Sequence, residues 1–293
     1  MIDSILKPIL DNSSFGGTYI NKITGPDEDD EVNKNFIDSA AKFNPNIQYS
    51  ETYPTDSTTL ESSIEKRDGL IHPQLLGGDG LHDRNGRPVC SVGLRVQDSN
   101  GQDYIMTGGH CGSRSPRNQQ GFVDLYQKRW YSPPTYRYVG PLEYYSPAPY
   151  DFGLIRKIGT NVSLSTIISN LDHPNLYALL FIRDVGVVTS VGASICKSAY
   201  ITHFTCGEVL EFDVVATYRN SNNQTVTKKE MIRTNLEGGH GDSGGTVYTY
   251  SALELPFVSV VGTVVGGSRT VCDILPLPSC LHNGVYCSTG LLR

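Results

Sequence analysis

Residues 238–248, GGHGDSGGTVY, decide how the rest of the chain is read. Taken alone, Ser243 between Asp242 and Gly244-Gly245 suits an ordinary glycine-rich turn. The same glycines also permit a tight turn in which the N–H groups of Gly241 and Ser243 point at one oxygen, which is an oxyanion hole. A serine nucleophile further requires a base and a group that orients the base.

Working outward, two segments can supply them. His110 lies in MTGGHC (106–111), just past a strand end and beside a cysteine. Asp151 lies in YDFGLIR (150–156), a carboxylate leading straight into an apolar strand. A partly buried aspartate needs a hydrogen-bond donor, and an imidazole N–H is a good one. Each residue has a plainer reading: a surface histidine, a strand start, a turn serine. The order His, Asp, Ser is what joins them.

The chain has 293 residues, enough for one large or two ordinary domains. Its charge is uneven: residues 1–75 carry 6 Lys and Arg against 13 Asp and Glu, a net of −7 that includes the run PDEDDE at 26–31. That run reads as a solvated loop. No segment is basic enough for a nucleic-acid footprint, and no apolar run approaches the ~20 residues of a membrane span. The start, MIDSILKPILDNSSF, lacks the parts of a secretory signal, so secretion is expected to depend on a signal further upstream or on another route.

Residues 1–75 are polar and weakly periodic, and are expected to form a separate N-terminal leader. From about residue 88 short β-branched runs alternate with turn signals and no long amphipathic helix is seen, which predicts an all-β barrel or sandwich. CSVGLRVQ (90–97) and DYIMTGG (103–109) flank Asn100-Gly101, a strong reversal signal. A hairpin folded there brings Cys90 and Cys111 opposite each other, so a disulfide between them follows from turn geometry. Cys196 and Cys206 bracket a second loop and form another plausible bridge, and EVLEFDVVATY pairs with TVTKKEMIR across RNSNNQ (219–224). The seven cysteines all lie beyond residue 89 with no CxxC pair, which favours disulfides in an oxidising compartment over a zinc ribbon. Sequons at Asn12, Asn161 and Asn223 are compatible with secretion. The Tyr- and Pro-rich run at 129–150 reads as a packed surface loop, with a substrate-gripping rim as the alternative.

TGGHC, YDFGLI and GDSGG resemble the three signature segments of chymotrypsin-fold serine peptidases. GGDG (77–80), CSVGLRV, VGASICKS (191–198) and MIRTN (231–235) narrow the resemblance to the streptogrisin and alpha-lytic protease group, over about residues 76–272. The resemblance implies two six-stranded antiparallel β-barrels, 76–180 carrying His110 and Asp151, and 181–293 carrying Ser243. It implies Ser243 as nucleophile, His110 as general base, Asp151 as the orienting acid, and Gly241 and Ser243 as oxyanion donors. It also implies a secreted, monomeric endopeptidase acting on polypeptides without metal or organic cofactor, with the leader as a pro-segment cleaved near Leu76-Gly77. Bridges Cys90–Cys111 and Cys196–Cys206 fit its pattern, and Lys197 stands where an arginine usually pairs with Asp242. A lysine there makes a single-point contact.

Besides Lys197, the chain departs from that pattern at Glu237 and Val265. Glu237 replaces a cysteine six residues before the serine, leaving Cys272 to pair with Cys280 or Cys287 and one cysteine odd. Glu237 and His240 then stand on the wall that receives the P1 side chain, as an acidic pocket or as solvent-facing loop residues. In GTVVGG (262–267), Val265 falls where a serine usually supports the triad aspartate, removing one support from Asp151, while Gly266 and Gly267 keep a strand edge open for substrate. These changes motivate the rival expectation: a catalytically silent homologue that binds peptides or proteins in the same cleft.

Overall fold

The computed structural model describes residues 20–21, 74–98, 100–113, 115–131, 135–173, 177–219, 225–250, 254–277 and 285–287. In chain order the strands are β1 (Ile20–Asn21), β2 (Gln74–Gly77), β3 (Gly80–His82), β4 (Pro88–Ser91), β5 (Arg95–Asp98), β6 (Asp103–Thr107), β7 (Val123–Lys128), β8 (Arg137–Ser146) and β9 (Phe152–Arg156). They continue as β10 (Ser163–Ser169), β11 (Leu179–Val185), β12 (Ser194–Ser198), β13 (Phe204–Arg219), β14 (Thr225–Thr234), β15 (Thr246–Thr249), β16 (Phe257–Gly267), β17 (Cys272–Pro276) and β18 (Val285–Cys287).

The strands form two barrels. In the first, β5, β6, β9, β8, β7, β3 and β4 are hydrogen-bonded in that order. β4 and β5 are two halves of one segment, bent at Val92–Leu94, whose first half pairs with β3 and whose second half pairs with β6. That bend closes the ring, which is six-stranded and antiparallel once the bent segment is counted as one strand. Alternation shows in β7, where Val123, Leu125 and Gln127 are buried between less buried Asp124, Tyr126 and Lys128. In the second, β12, β13, β14, β17, β16 and β15 pair antiparallel and β15 returns to β12, a closed ring of six.

The linking strands cross between the two sheets. β10 and β2 join the second sheet through β11, whereas β18 pairs with β5 of the first. So β10, within the stretch 76–180, hydrogen-bonds into the second sheet, and β18, within 181–293, into the first. β2 belongs to the folded body: Leu75 and Leu76 are buried, so the Leu76-Gly77 bond expected as a processing point lies inside a packed strand. The expected bridges are both present, Cys90–Cys111 and Cys196–Cys206. Arg95 pairs with Ile105 and Gln97 with Asp103, within one residue of the register expected from the Asn100-Gly101 turn.

Two expectations are corrected here. Half of the Tyr- and Pro-rich run is a strand rather than a loop: β8 spans ten residues and carries Pro141. Proline is tolerated there because pairing shifts register nearby, between Leu142 and Tyr144 on the β9 side and between Leu125 and Tyr126 on the β7 side. Cys272 is not bridged. It is a buried thiol packed with Ile195, Val209, Ile232 and Val264 in the second barrel, and burial pushes its pKa up to about 12. Cys280 lies outside the described residues, as do the leader apart from Ile20–Asn21 and the sequons at Asn12 and Asn223.

Three apolar clusters hold the body together. One fills the first barrel around Leu81, Ile105, Leu125, Leu142 and Ile155, and one fills the second around Cys272 and its neighbours. The largest joins the barrels, with Leu94, Met106 and Phe152 from the first meeting Ile168, Met231, Tyr248 and Val265 from the second. This shared core fixes the cleft in which the polar residues meet.

Candidate active site

His110 sits in a 3-10 turn, Gly109–Gly112, that follows β6 and is tied to β4 by the Cys111 disulfide. Asp151 precedes β9 and its side chain is wholly buried. The backbone N–H of His110 donates to Asp151 Oδ1 at 2.8 Å, and His110 Nδ1 lies 2.6 Å from Asp151 Oδ2. On the other side of the ring, Nε2 lies 2.9 Å from Ser243 Oγ. With Nδ1–H given to the carboxylate, Nε2 is the lone-pair nitrogen facing the hydroxyl.

Ser243 is delivered by the loop between β14 and β15. Gly241 and Gly244 take φ +106° and +84°, a region that L side chains rarely adopt. A Cβ on Gly244 would also meet Thr107 Oγ1 at 2.2 Å, so this position demands glycine twice over. The loop is pinned from the first barrel by Ser91. Its N–H donates to Ser243 O at 2.8 Å, its hydroxyl donates to Gly241 O at 2.7 Å, and that hydroxyl accepts from Tyr200 N–H at 2.9 Å. Asp242 N–H donates to Gly239 O, while among the described residues neither Gly241 N–H nor Ser243 N–H meets a protein acceptor. Two free donors flank one occupied one, in a loop fixed by hydrogen bonds.

Asp242 and Lys197 meet as expected, both buried, with Nζ 3.4 Å from Oδ2. Thr202 intervenes: its hydroxyl donates to Asp242 Oδ2 at 2.6 Å and is itself hydrogen-bonded to Lys197 Nζ. The N–H groups of Ile201 and Thr202 donate to Oδ1 at 2.9 and 3.0 Å, and Gly239 N–H donates to Oδ2 at 2.9 Å. The single-point lysine contact is therefore supplemented by backbone.

Val265 is buried in β16. The support that Asp151 was expected to lack comes instead from Lys228 of β14, whose Nζ donates to Asp151 Oδ2 at 2.5 Å. Burial raises the Asp151 pKa, but His110 and Lys228 outweigh it and hold the carboxyl down at about 2. Gly266 and Gly267 lie at the end of β16 and pair with Asp273 and Cys272 of β17; a Cβ on Gly266 would meet nothing within 4 Å. Glu237 and His240 are exposed. Between them Gly238 N–H donates to Ser268 O at 2.9 Å, which brings the loop against the β16–β17 turn. The donor atoms of Cys90, His110 and Cys111 lie within 4.8 Å of one another, but both sulfurs are in the disulfide and both ring nitrogens are engaged.

No family model matches the chain. Among solved structures it is similar to Cellulomonas bogoriensis chymotrypsin, with 22% identity over 74% of this chain and 99% of that one and a TM-score of 0.53. It is similar to Nocardiopsis protease at 20% identity, covering 74% and 100% with a TM-score of 0.54. It is also similar to an alpha-lytic protease homologue, N4, at 23% identity, covering 73% and 98% with a TM-score of 0.51. The fold is that of the chymotrypsin-like proteases. These structures align with nearly their whole length, and the two closed barrels described above account for the likeness.

Sequence reasoning missed Ser91, Thr202 and Lys228. Ser91 stands in a quoted segment, CSVGLRV, but nothing local marks its hydroxyl as reaching across 150 residues to Gly241 O. Lys228 sits in an ordinary polar strand sequence, and its placement depends on a bulge.

Proposed function

We propose that the protein is a serine endopeptidase. One observation carries this reading: the His110 ring contacts Asp151 through one nitrogen and Ser243 through the other. In the reaction, Ser243 Oγ attacks the scissile carbonyl carbon while Nε2 takes its proton. The negative charge on the carbonyl oxygen is received by the N–H groups of Gly241 and Ser243. His110, now protonated and stabilised by Asp151, gives the proton to the departing amine. Water then repeats the sequence on the acyl-enzyme and frees Ser243. The chemistry needs no metal or organic cofactor.

A polypeptide substrate lies extended along Val265–Gly267 and pairs with that backbone, with Glu237 and His240 beside the P1 side chain. The two disulfides favour an oxidising, extracellular setting. One chain supplies every residue named, so a monomer is complete. The N-terminal region acts as a pro-segment in this reading, and the parallel pairing of Ile20–Asn21 with Val215–Ala216 supports its contact with the second barrel. The test is a fluorophosphonate probe on the folded chain. Labelling is expected, and is expected to vanish in Ser243→Ala and in His110→Ala; a folded wild type that stays unlabelled contradicts the proposal.

A further inference from the structure

The oxygen of Asp151 that meets His110 Nδ1 also meets a second barrel's lysine. Oδ2 accepts from Lys228 Nζ at 2.5 Å and lies 2.6 Å from Nδ1, while Oδ1 accepts from the His110 N–H at 2.8 Å. The carboxylate is thus gripped from two barrels.

The backbone of β14 is built to deliver this lysine. Met231 pairs with Val214 and Lys228 with Ala216, so β14 carries Lys229 and Glu230 where β13 carries Val215 alone. The extra residue is a β-bulge, and Glu230 within it has φ +54°, uncommon for a residue with a side chain. In a regular strand residues three apart face opposite sides. The bulge turns Lys228 to the buried side with Met231, and both are buried, at 8% and 1% exposure. The same bulge docks on the loop that leads into Asp151: Lys229 N–H donates to Pro149 O at 2.9 Å, and Tyr150 hydroxyl donates to Glu230 Oε1 at 2.7 Å. Three consecutive residues of β14 therefore grip residues 149, 150 and 151.

We propose that Lys228 is a positioning residue for the Asp151–His110 pair, holding the carboxylate in the one orientation that presents the imidazole to Ser243. The inference rests on the serine-peptidase reading above. His110 reaches both carboxylate oxygens, but both of its contacts come from the group being positioned; Lys228 holds Oδ2 independently of His110, from the other barrel and with a positive charge. A buried ammonium carries its own desolvation cost, which Asp151 offsets. Among the described residues, the charged groups gathered at this corner include His110 from the 3-10 turn, Asp151 before β9, Lys228 from β14 and, further out, Lys229 and Glu230 of the bulge.

The experiment compares full-length wild type with Lys228→Met and Lys228→Gln, reading the fluorophosphonate labelling rate against pH, with near-UV circular dichroism reporting the fold. Met removes charge and donor, whereas Gln keeps a donor and removes the charge. Lys228→Met is expected to label slower by on the order of 10–100-fold. Without the cation, the full charge of Asp151 favours a protonated imidazole, so the acid limb of the profile is expected to move up by roughly one pH unit. Lys228→Gln should show the same upward move with a smaller fall in rate. If the Met variant does not fold, the Gln variant decides on the same criteria. A folded variant with wild-type rate and an unmoved profile overturns the inference while leaving the peptidase reading intact. A folded, unlabelled wild type strikes down the reading itself, and this inference with it.

Discussion

Two buried aspartates flank Ser243, each beside a lysine, and they are satisfied in opposite ways. Asp242 takes its hydrogen bonds within the second barrel, from the N–H groups of Gly239, Ile201 and Thr202 and from the Thr202 hydroxyl, with Lys197 standing back at 3.4 Å. Asp151 takes its bonds from His110 on its own barrel and from Lys228 on the other, at 2.6 and 2.5 Å. The first site is held by three backbone N–H groups and one hydroxyl. The second is shared with a ring whose far nitrogen faces a hydroxyl. In the proposed reaction the two similar pairings would serve different ends: Asp242 would anchor the loop carrying the oxyanion donors, and Asp151 would orient the base.

That contrast breaks most visibly in the amides. Asp151→Asn should lower kcat by about 10⁴, because an amide can leave the ring in the wrong tautomer, and should also lose about 2 kcal/mol of unfolding free energy as Lys228 loses its carboxylate. Removing Asp242 should act on stability first. Asp242→Ala strands Lys197 in the interior, at an expected cost of about 3–5 kcal/mol in urea unfolding. If both variants lose activity and stability in the same proportion, the distinction between anchor and orienter is wrong.

Acid separates the sites more gently. The Asp151 carboxyl is held at about 2, below its ordinary 3.8, so its stabilising contribution is fully present above about pH 4 and is lost as pH falls toward 2. On the order of 2 kcal/mol of unfolding free energy should disappear across that window in wild type and not in Asp151→Asn. The smallest effect is expected at the seam between barrels. Ser91→Ala leaves the Tyr200 N–H and Gly241 O without their hydroxyl partner, costing about 1–2 kcal/mol and slowing labelling without abolishing it.

Much of this was legible in the sequence, for identifiable reasons. His110, Asp151 and Ser243 each stand in a short segment that resembles a signature of chymotrypsin-fold peptidases, and that resemblance, together with their order, makes them recognisable without a structure. The Asn100-Gly101 turn fixed the hairpin register to within a residue because turn chemistry is local. What escaped depends on non-local pairing. Nothing local in TVTKKEMIR marks Lys228, whose burial depends on one extra residue in β14. The run at 129–150 reads as a packed surface loop from its many tyrosines and prolines, whereas register shifts of its neighbours accommodate Pro141 within a strand. Cys272 is a free thiol, held by its burial among the aliphatic side chains of the second barrel's core. The missing serine at 265 suggested a weakened Asp151, whereas the support had moved to another strand.

The most direct test of Ser243 as a nucleophile activated across the cleft is to trap the acyl-enzyme. Wild-type protein mixed briefly with an activated ester and quenched in acid should carry one acyl group, mapped by peptide mass spectrometry to Ser243 and absent from His110→Ala. Acylation at another residue, or none on correctly folded protein, would contradict the central claim.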